Sequence, residues 1–239
     1  MKIALIGYGK MGKAIEKIAH ERGHETGLII DQDNTNDLTA ENLRGCDVAI
    51  EFSTPEFAEN NIKACLEAGI PVVSGTTGWL DRLGDVKNLC ESRNGAMVYA
   101  SNFSIGVNLF FEVNKHLANL MGDHPQYNVH IEEIHHTQKK DSPSGTAITL
   151  AEQIIESSVK KNKWVNSSTD RPQELYILSQ RIDPAAGTHR VVYSSPVDDL
   201  EIIHTAHNRE GFATGAVQAA EFIIGKKGIF GMKEVLGLK

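Results

Sequence analysis

Between Glu132 and Leu150 the sequence reads EEIHHTQKKDSPSGTAITL, which sets two histidines and two lysines beside a turn that opens onto an apolar-periodic segment. Imidazole can give or take a proton near neutrality and a lysine can meet a carboxylate. His135, His136, Lys139 and Lys140 are therefore a candidate proton-transfer cluster. Pro143 lacks a backbone donor and suits a helix start, and Ala147, Ile148, Leu150, Ala151, Ile154 and Ile155 keep helical spacing after it. Ser144, Gly145 and Thr146 then occupy a first helical turn, whose N–H groups and dipole attract a carboxylate or phosphate, and Gly145 lets a ligand approach the backbone. One at a time these residues read as a capped helix and surface histidines; together they read as an acid beside an anion seat.

A second group could hold a dinucleotide. Gly7, Gly9 and Gly12 form GxGxxG directly after an apolar run, and Asp31 closes the next strand-like run, 19 residues beyond Gly12. The first two glycines allow a tight turn and close pyrophosphate approach, the third allows helix–strand packing, and the acid accepts ribose hydroxyls. A carboxylate at Asp31 favours the free 2′-hydroxyl of NADH over the 2′-phosphate of NADPH, and Gln32 follows it rather than an arginine. Lys10 and Lys13 could offset that repulsion, so NADH is expected to serve at least as well as NADPH, with dual use open. Gly75, Thr76, Thr77 and Gly78 follow another apolar run, where open α/β sheets place ligands; alone they would equally be a plain strand–helix turn.

Elements must position both groups. Strand-like runs at 2–6, 26–30, 46–52, 71–74 and 96–100 alternate with helical stretches that end near Gly23 and cover 53–68 and 80–92, which predicts an α/β unit with a parallel sheet. SNFSIGVN at 101–108 marks a crossing into a second region, opened by a helix through about Met121. There a strand at 129–134 ends near the histidine pair, the helix from 144 runs to about 161, and 162–172 reads as a loop. Runs at 174–181, 189–194 and 200–206 join the strand in a mixed sheet backed by helices on one face, with a partner subunit the economical cover for the other. The alanine-rich stretch 212–224 predicts a closely packed terminal helix against the first domain.

The 239 residues suffice for one large or two modest domains, and a net charge of −7 argues against nucleic-acid binding. Cys46, Cys65 and Cys90 are odd in number and form no CxxC pair, so neither a disulfide framework nor a zinc site is expected. No metal is expected at His135 and His136 either, since neighbours on an extended chain face apart and no third ligand stands at a convincing spacing. The first apolar run is short for a signal peptide and no stretch reaches membrane-spanning length, so a cytoplasmic protein is expected. His189, His204 and His207 are expected to be hydrogen-bonded structural residues, and Arg209 is left open between a substrate-side cation and an interdomain ion pair.

GYGKMGK at 7–13, GTTG at 75–78, SNFSIGVN at 101–108, HHTQKKDSPSGTA at 135–147 and the block 201–220, with FATGAVQAA inside it, resemble the 4-hydroxy-tetrahydrodipicolinate (dihydrodipicolinate) reductase family over nearly the whole chain. The long histidine–lysine motif is the most specific of them. The resemblance implies a Rossmann-type nucleotide domain at 1–105 and 209–239, with an inserted α+β domain at 106–208 for substrate binding and homotetramer formation. It implies hydride transfer from NADH or NADPH to an unsaturated cyclic dicarboxylate, giving tetrahydrodipicolinate on the route to lysine and diaminopimelate. Carried onto matching positions, His135 would donate a proton, Lys139 would be a second acid that meets a substrate carboxylate, and His136 would contact substrate. Gly145 and Thr146, beside Ser144, would hold the other carboxylate. Gly7, Tyr8, Gly9, Lys10, Met11 and Gly12 would line the cofactor together with Asp31, Gly75, Thr76, Thr77, Ala100, Ser101, Asn102 and Phe103.

The chain departs from the family at Gln32, which puts 2′-phosphate recognition in doubt, and at Asp183, where relatives often carry glycine. Lys140 stands beside Lys139 as an alternative acid. Two other readings compete: a dehydrogenase for a different carbonyl or imine, against which the paired anion seats weigh, and a dinucleotide-sensing protein without catalysis, against which His135 and Lys139 weigh.

Overall fold

Successive residues of the first strand point to opposite faces, and both sets are apolar, which calls for a sheet covered on both sides. In the computed structural model, which describes residues 1–238, the chain forms two compact units: Met1–Ile105 together with the segment from Arg209 onward, and Gly106–Asn208. Lys239, within the stretch assigned to the nucleotide domain from sequence, lies outside the described residues.

The first unit begins β1 (Lys2–Ile6), α1 (Lys10–Glu21), β2 (Glu25–Ile30), a 3-10 segment Gln32–Asp37, α2 (Ala40–Leu43) and β3 (Val48–Glu51). It continues with α3 (Pro55–Glu67), β4 (Val72–Ser74), a 3-10 turn Leu80–Arg82, α4 (Leu83–Ser92) and β5 (Ala96–Tyr99). The second stretch of chain holds α5 (Ile105–Met121), β6 (Asn128–His135), α6 (Gly145–Ser157), β7 (Lys163–Val165), β8 (Glu174–Arg181), β9 (Gly187–Ser194) and β10 (Asp199–Ala206). The chain then returns to the first unit with α7 (Glu210–Ile223), β11 (Gly228–Phe230) and α8 (Met232–Val235).

Six parallel strands in the order β11-β5-β4-β3-β1-β2 form the Rossmann-type sheet. Ile3, Leu5, Val48, Ile50 and Val98 pack under α1, α7 and α8; Ala4, Ile6, Ala49, Val72 and Met97 pack under α3 and α4. Burying one such leucine or isoleucine is worth about 1.5–3 kcal/mol, so two filled faces hold the sheet rigid. Helix α7 presents mainly alanines, and a Cβ placed on its Gly215 would fall 1.7 Å from the Phe103 carbonyl oxygen. Only glycine lets the helix lie against the loop that follows β5.

The other sheet is mixed, in the order β10-β9-β6-β8-β7, with β6 antiparallel to β9 and parallel to β8. Val129 and Ile131 of β6 meet Leu150, Ala151 and Ile154 of α6 in its core. Opposite them, Leu178 is 39% and Ile203 55% exposed.

Several details differ from expectation. Helix α6 ends at Ser157 because Ser158 is extended, and Lys161 turns inward, its Nζ donating to Asn128 Oδ1 at 2.8 Å and to the Glu174 carbonyl at 2.7 Å. The expected loop 162–172 contains β7, and α2, β11 and α8 are additional elements of three or four residues.

Candidate active site

Strand β6 keeps its period of two beyond the apolar residues, so Glu133 and His135 lie on the same buried face as Val129 and Ile131. Glu133 is fully buried, a costly position for an ion without partners. Partners surround it. The Ser144 amide donates to both of its oxygens at 3.1 and 3.2 Å, and Arg181 Nη2 stands 3.3 Å from Oε1. His135 Nδ1 is 3.4 Å and His189 Nε2 3.7 Å from Oε2. Sheet register explains the gathering, because Glu133 pairs with His189 across β9 and His135 with Arg181 across β8. Arg181 also donates to the Asp141 carbonyl at 2.6 Å, fastening the lysine loop to the sheet.

Burial pushes the Glu133 carboxyl up, but hydrogen bonds from His189 and Ser144 outweigh it and hold the group far below the usual carboxylate range. At His135 burial prevails: with help from His189 and against Glu133, it pushes the imidazole down to about 4. The ring is therefore neutral at pH 7 in the free protein. This differs from the expectation of an acid titrating near neutrality: burial and His189 disfavour the charged imidazole, and added negative charge nearby would favour it.

Lys139 Nζ pairs with Asp141 Oδ1 at 2.8 Å, remains about a quarter exposed, and contributes to depressing His135. Lys140 is exposed and His136 half-buried. Asp183, one of the departures from the family, accepts from the Thr137 amide at 3.1 Å and its hydroxyl at 2.6 Å, so it braces the turn after the histidine pair. Ser144 caps α6, its hydroxyl accepting from the Ala147 amide at 3.2 Å and bonding His189 Nε2 at 3.1 Å. With its amide held by Glu133, Ser144 builds the helix start, while Gly145 is exposed and a Cβ there would meet nothing within 4 Å.

His189 is thus hydrogen-bonded, as expected, yet its ring also lies 5.0 Å from that of His135. Glu133, His135 and His189 bring ligand-type atoms within 4.8 Å of one another, a third donor that sequence spacing did not show. The Arg181 guanidinium already supplies positive charge to that carboxylate. Glu133 was missed in the sequence; its signal is a carboxylate on the apolar stripe Val129, Ile131, Glu133.

In the first unit the strand ends meet at one level, Ile6 pairing with Glu51 and Glu51 with Ser74. Gly7 has φ +93°, and a Cβ there would fall 2.1 Å from the Phe52 carbonyl oxygen, so the turn requires glycine. A Cβ on Gly9, in contrast, would meet nothing within 4 Å, which leaves a cradle open to a ligand. Tyr8 is held by a short hydrogen bond from its hydroxyl to Glu16, and Lys13 Nζ lies 5.7 Å from its ring centre; Lys10 is exposed. Exposed Asp31 caps the 3-10 segment, Oδ1 accepting from the Gln32 amide at 2.9 Å. Thr76 and Phe103 are buried, whereas Thr77 and Ser101 are exposed. Asn102 accepts from the Ser104 amide at 2.9 Å through Oδ1. The sequence-derived positions in the two units therefore form two groups, one at each sheet.

The model of the dihydrodipicolinate reductase N-terminus matches residues 1–103, and that of the C-terminus matches 106–236. A 4-hydroxy-tetrahydrodipicolinate reductase of Christiangramia forsetii is 51% identical over 237 residues, covering 99% of this chain and 98% of the relative. One of Methanoregula boonei is 33% identical over 196 residues, covering 81% and 76%. Among solved structures, a dipicolinate-bound dihydrodipicolinate reductase from Paenisporosarcina sp. TG-14 superposes with a TM-score of 0.77 at 24% identity, covering 98% of each chain, a likeness of fold.

Proposed function

This chain belongs to the dihydrodipicolinate reductase family, and from that premise we infer that it uses NADH or NADPH to reduce 4-hydroxy-tetrahydrodipicolinate to tetrahydrodipicolinate in lysine and diaminopimelate biosynthesis. The observation that carries the reading is the polar group buried against the start of α6: Glu133, His135, His189 and Arg181 around Ser144, with Lys139 beside it.

The cofactor, when bound, supplies the hydride. The open cradle at Gly9 fits its pyrophosphate, and Gly7 to Gly12, Asp31, Gly75 to Thr77 and Ala100 to Phe103 are the residues assigned to hold it. Asp31 and Gln32 support NADH as the better cofactor, with Lys10 and Lys13 leaving NADPH usable.

On the substrate side, Lys139 meets one carboxylate and the backbone at Gly145 and Thr146 meets the other. His136 is assigned as a substrate contact. Hydride addition leaves electron density that must take a proton, and His135 and Lys139 are the acids assigned to supply it; such help is typically worth about a hundred- to ten-thousand-fold. His135 is neutral beforehand, so the arriving dianion both binds and charges its acid: the negative charge draws a proton onto the imidazole before transfer.

The half-exposed apolar positions Leu178 and Ile203 support a homotetramer joined through the open face of the second sheet. Among the described residues no helix is long and apolar enough to cross a membrane, and the three cysteines are free and buried, which supports a cytoplasmic enzyme.

The test follows nicotinamide absorbance with NADH and NADPH in parallel, the substrate being generated in place by the synthase that joins pyruvate and aspartate semialdehyde. Synthase-dependent oxidation with NADH at least as fast as with NADPH is expected. Cofactor binding without oxidation would overturn the substrate assignment, and a strong NADPH preference would overturn the reading of Asp31 and Gln32.

A further inference from the structure

Glu51, at the end of β3, is fully buried, and its side-chain donors are Ser53 and Thr76 in the loops after β3 and β4 and Ser74 at the end of β4. Its Oε1 accepts from the Ser53 amide at 3.0 Å, from the Ser53 hydroxyl by a short bond, and from Thr76 Oγ1 at 2.8 Å. Its Oε2 accepts from Ser74 Oγ at 2.7 Å. The ring of donors closes on itself, because Thr76 Oγ1 also accepts from the Ser53 amide at 2.9 Å and Asn61 Nδ2 donates to Ser53 Oγ at 3.1 Å. No cation makes an ion pair with Glu51 among the described residues, so hydrogen bonds alone compensate the buried carboxylate.

We propose that Glu51 is a positioning residue for the cofactor, clamping the loops after β3 and β4 so that Gly75, Thr76 and Thr77 are preorganised to receive it. The clamp reaches the glycine turn through Phe52: the backbone of Phe52 is what a Cβ on Gly7 would strike, at 2.1 Å, and its ring is what a Cβ on Gly75 would strike, at 2.2 Å. Phe52 also hydrogen-bonds from its amide to the Ile6 carbonyl at 2.8 Å. The carboxylate thus ties the ends of β3 and β4 directly, and the backbone of Phe52 carries the tie to β1, so that three loops that must approach a dinucleotide begin at one braced level. Held in place before binding, these loops lose less conformational freedom when the ligand arrives. The proposal rests on the assignment of Gly75 to Thr77 to the cofactor.

The experiment compares Glu51→Ala, Glu51→Gln and Ser74→Ala in the full chain by NADH fluorescence titration, steady-state kinetics and thermal melting. Glu51→Ala is expected to raise the NADH dissociation constant and cofactor KM about tenfold or more, with kcat at saturating NADH and the substrate KM changed less than about twofold. Glu51→Gln keeps a carbonyl acceptor for Ser53 and Thr76 and lets Ser74 turn to accept, so affinity should return to within about threefold of the parent. Ser74→Ala removes one donor and should give an intermediate loss, which decides the matter if Glu51→Ala does not fold. Unchanged NADH affinity in folded Glu51→Ala, or in both of the milder variants while melting temperature falls, would overturn the positioning role. Failure of the parent protein to bind NADH would overturn the cofactor assignment itself.

Discussion

Glu133 shares its face of β6 with apolar residues and is stabilised there by Arg181, Ser144 and two histidines. Glu133→Gln leaves the guanidinium without its carboxylate and should cost about 3 kcal/mol of stability, read by urea unfolding, together with a fall in kcat/KM. His135→Ala and Lys139→Ala should each lower kcat by about a hundredfold or more while leaving NADH affinity nearly unchanged; parent-like turnover in both would remove their assigned roles. The pH dependence has a definite sign. With its native value depressed to about 4 from an ordinary 6.5, His135 binds its proton more tightly in the unfolded chain. Stability should therefore fall as pH drops from about 6.5 towards 4, and His135→Asn should flatten that slope. Glu133 adds a second loss below its ordinary value of 4.5, because its depressed carboxyl favours the folded state only while ionised. The histidines, lysines and Ser-Gly-Thr could be found from sequence because they are neighbours along the chain. Arg181 and His189 join them only through strand pairing, which a linear reading does not display.

Helix α7 depends on a bare position where it crosses the loop after β5. Gly215→Ala would place a methyl 1.7 Å from the Phe103 carbonyl, so the helix or the loop must move. We expect a melting loss equivalent to several kcal/mol, or insoluble protein, and weakened NADH binding in any folded fraction, because 100–103 belongs to the cofactor assignment. Ser144→Ala acts at the start of α6, removing a cap worth about 1 kcal/mol and a partner of His189; a larger fall in kcat than in stability would separate the two roles. Long elements with clear periodicity, such as α1, α3, β6 and β8, lie near where their apolar spacing places them. The misses are β7, β11, α2 and α8, each too short to show a period, and the end of α6, where Lys161 is drawn inward by Asn128 and Glu174 rather than continuing the helix. Tertiary contact decided those boundaries, not local preference.

At the scale of the whole molecule, the first unit takes its core from both ends of the chain: Ala213, Ala216, Val217, Ala220 and Ile223 of α7 cover one face of a sheet built mostly before residue 100. A chain stopped after Asn208 should lack a cooperative unfolding transition for that unit and bind no NADH; retained affinity would mean that α7 is dispensable. Light scattering of the intact protein should give four times the chain mass of 26.2 kDa if the second sheet joins copies as proposed, and a monomer mass would remove that part of the reading. The division of the core between distant segments also sets an order of events during synthesis. A ribosome adding about 5–20 residues per second needs roughly 5–20 s to make the stretch Gly106–Asn208, and until α7 and α8 follow, Ile3, Leu5, Val48 and Ile50 have only α1 to cover them on that side. For that interval the nascent chain carries a finished second unit behind an unfinished first one, and chaperones that recognise apolar β-surface should meet it there.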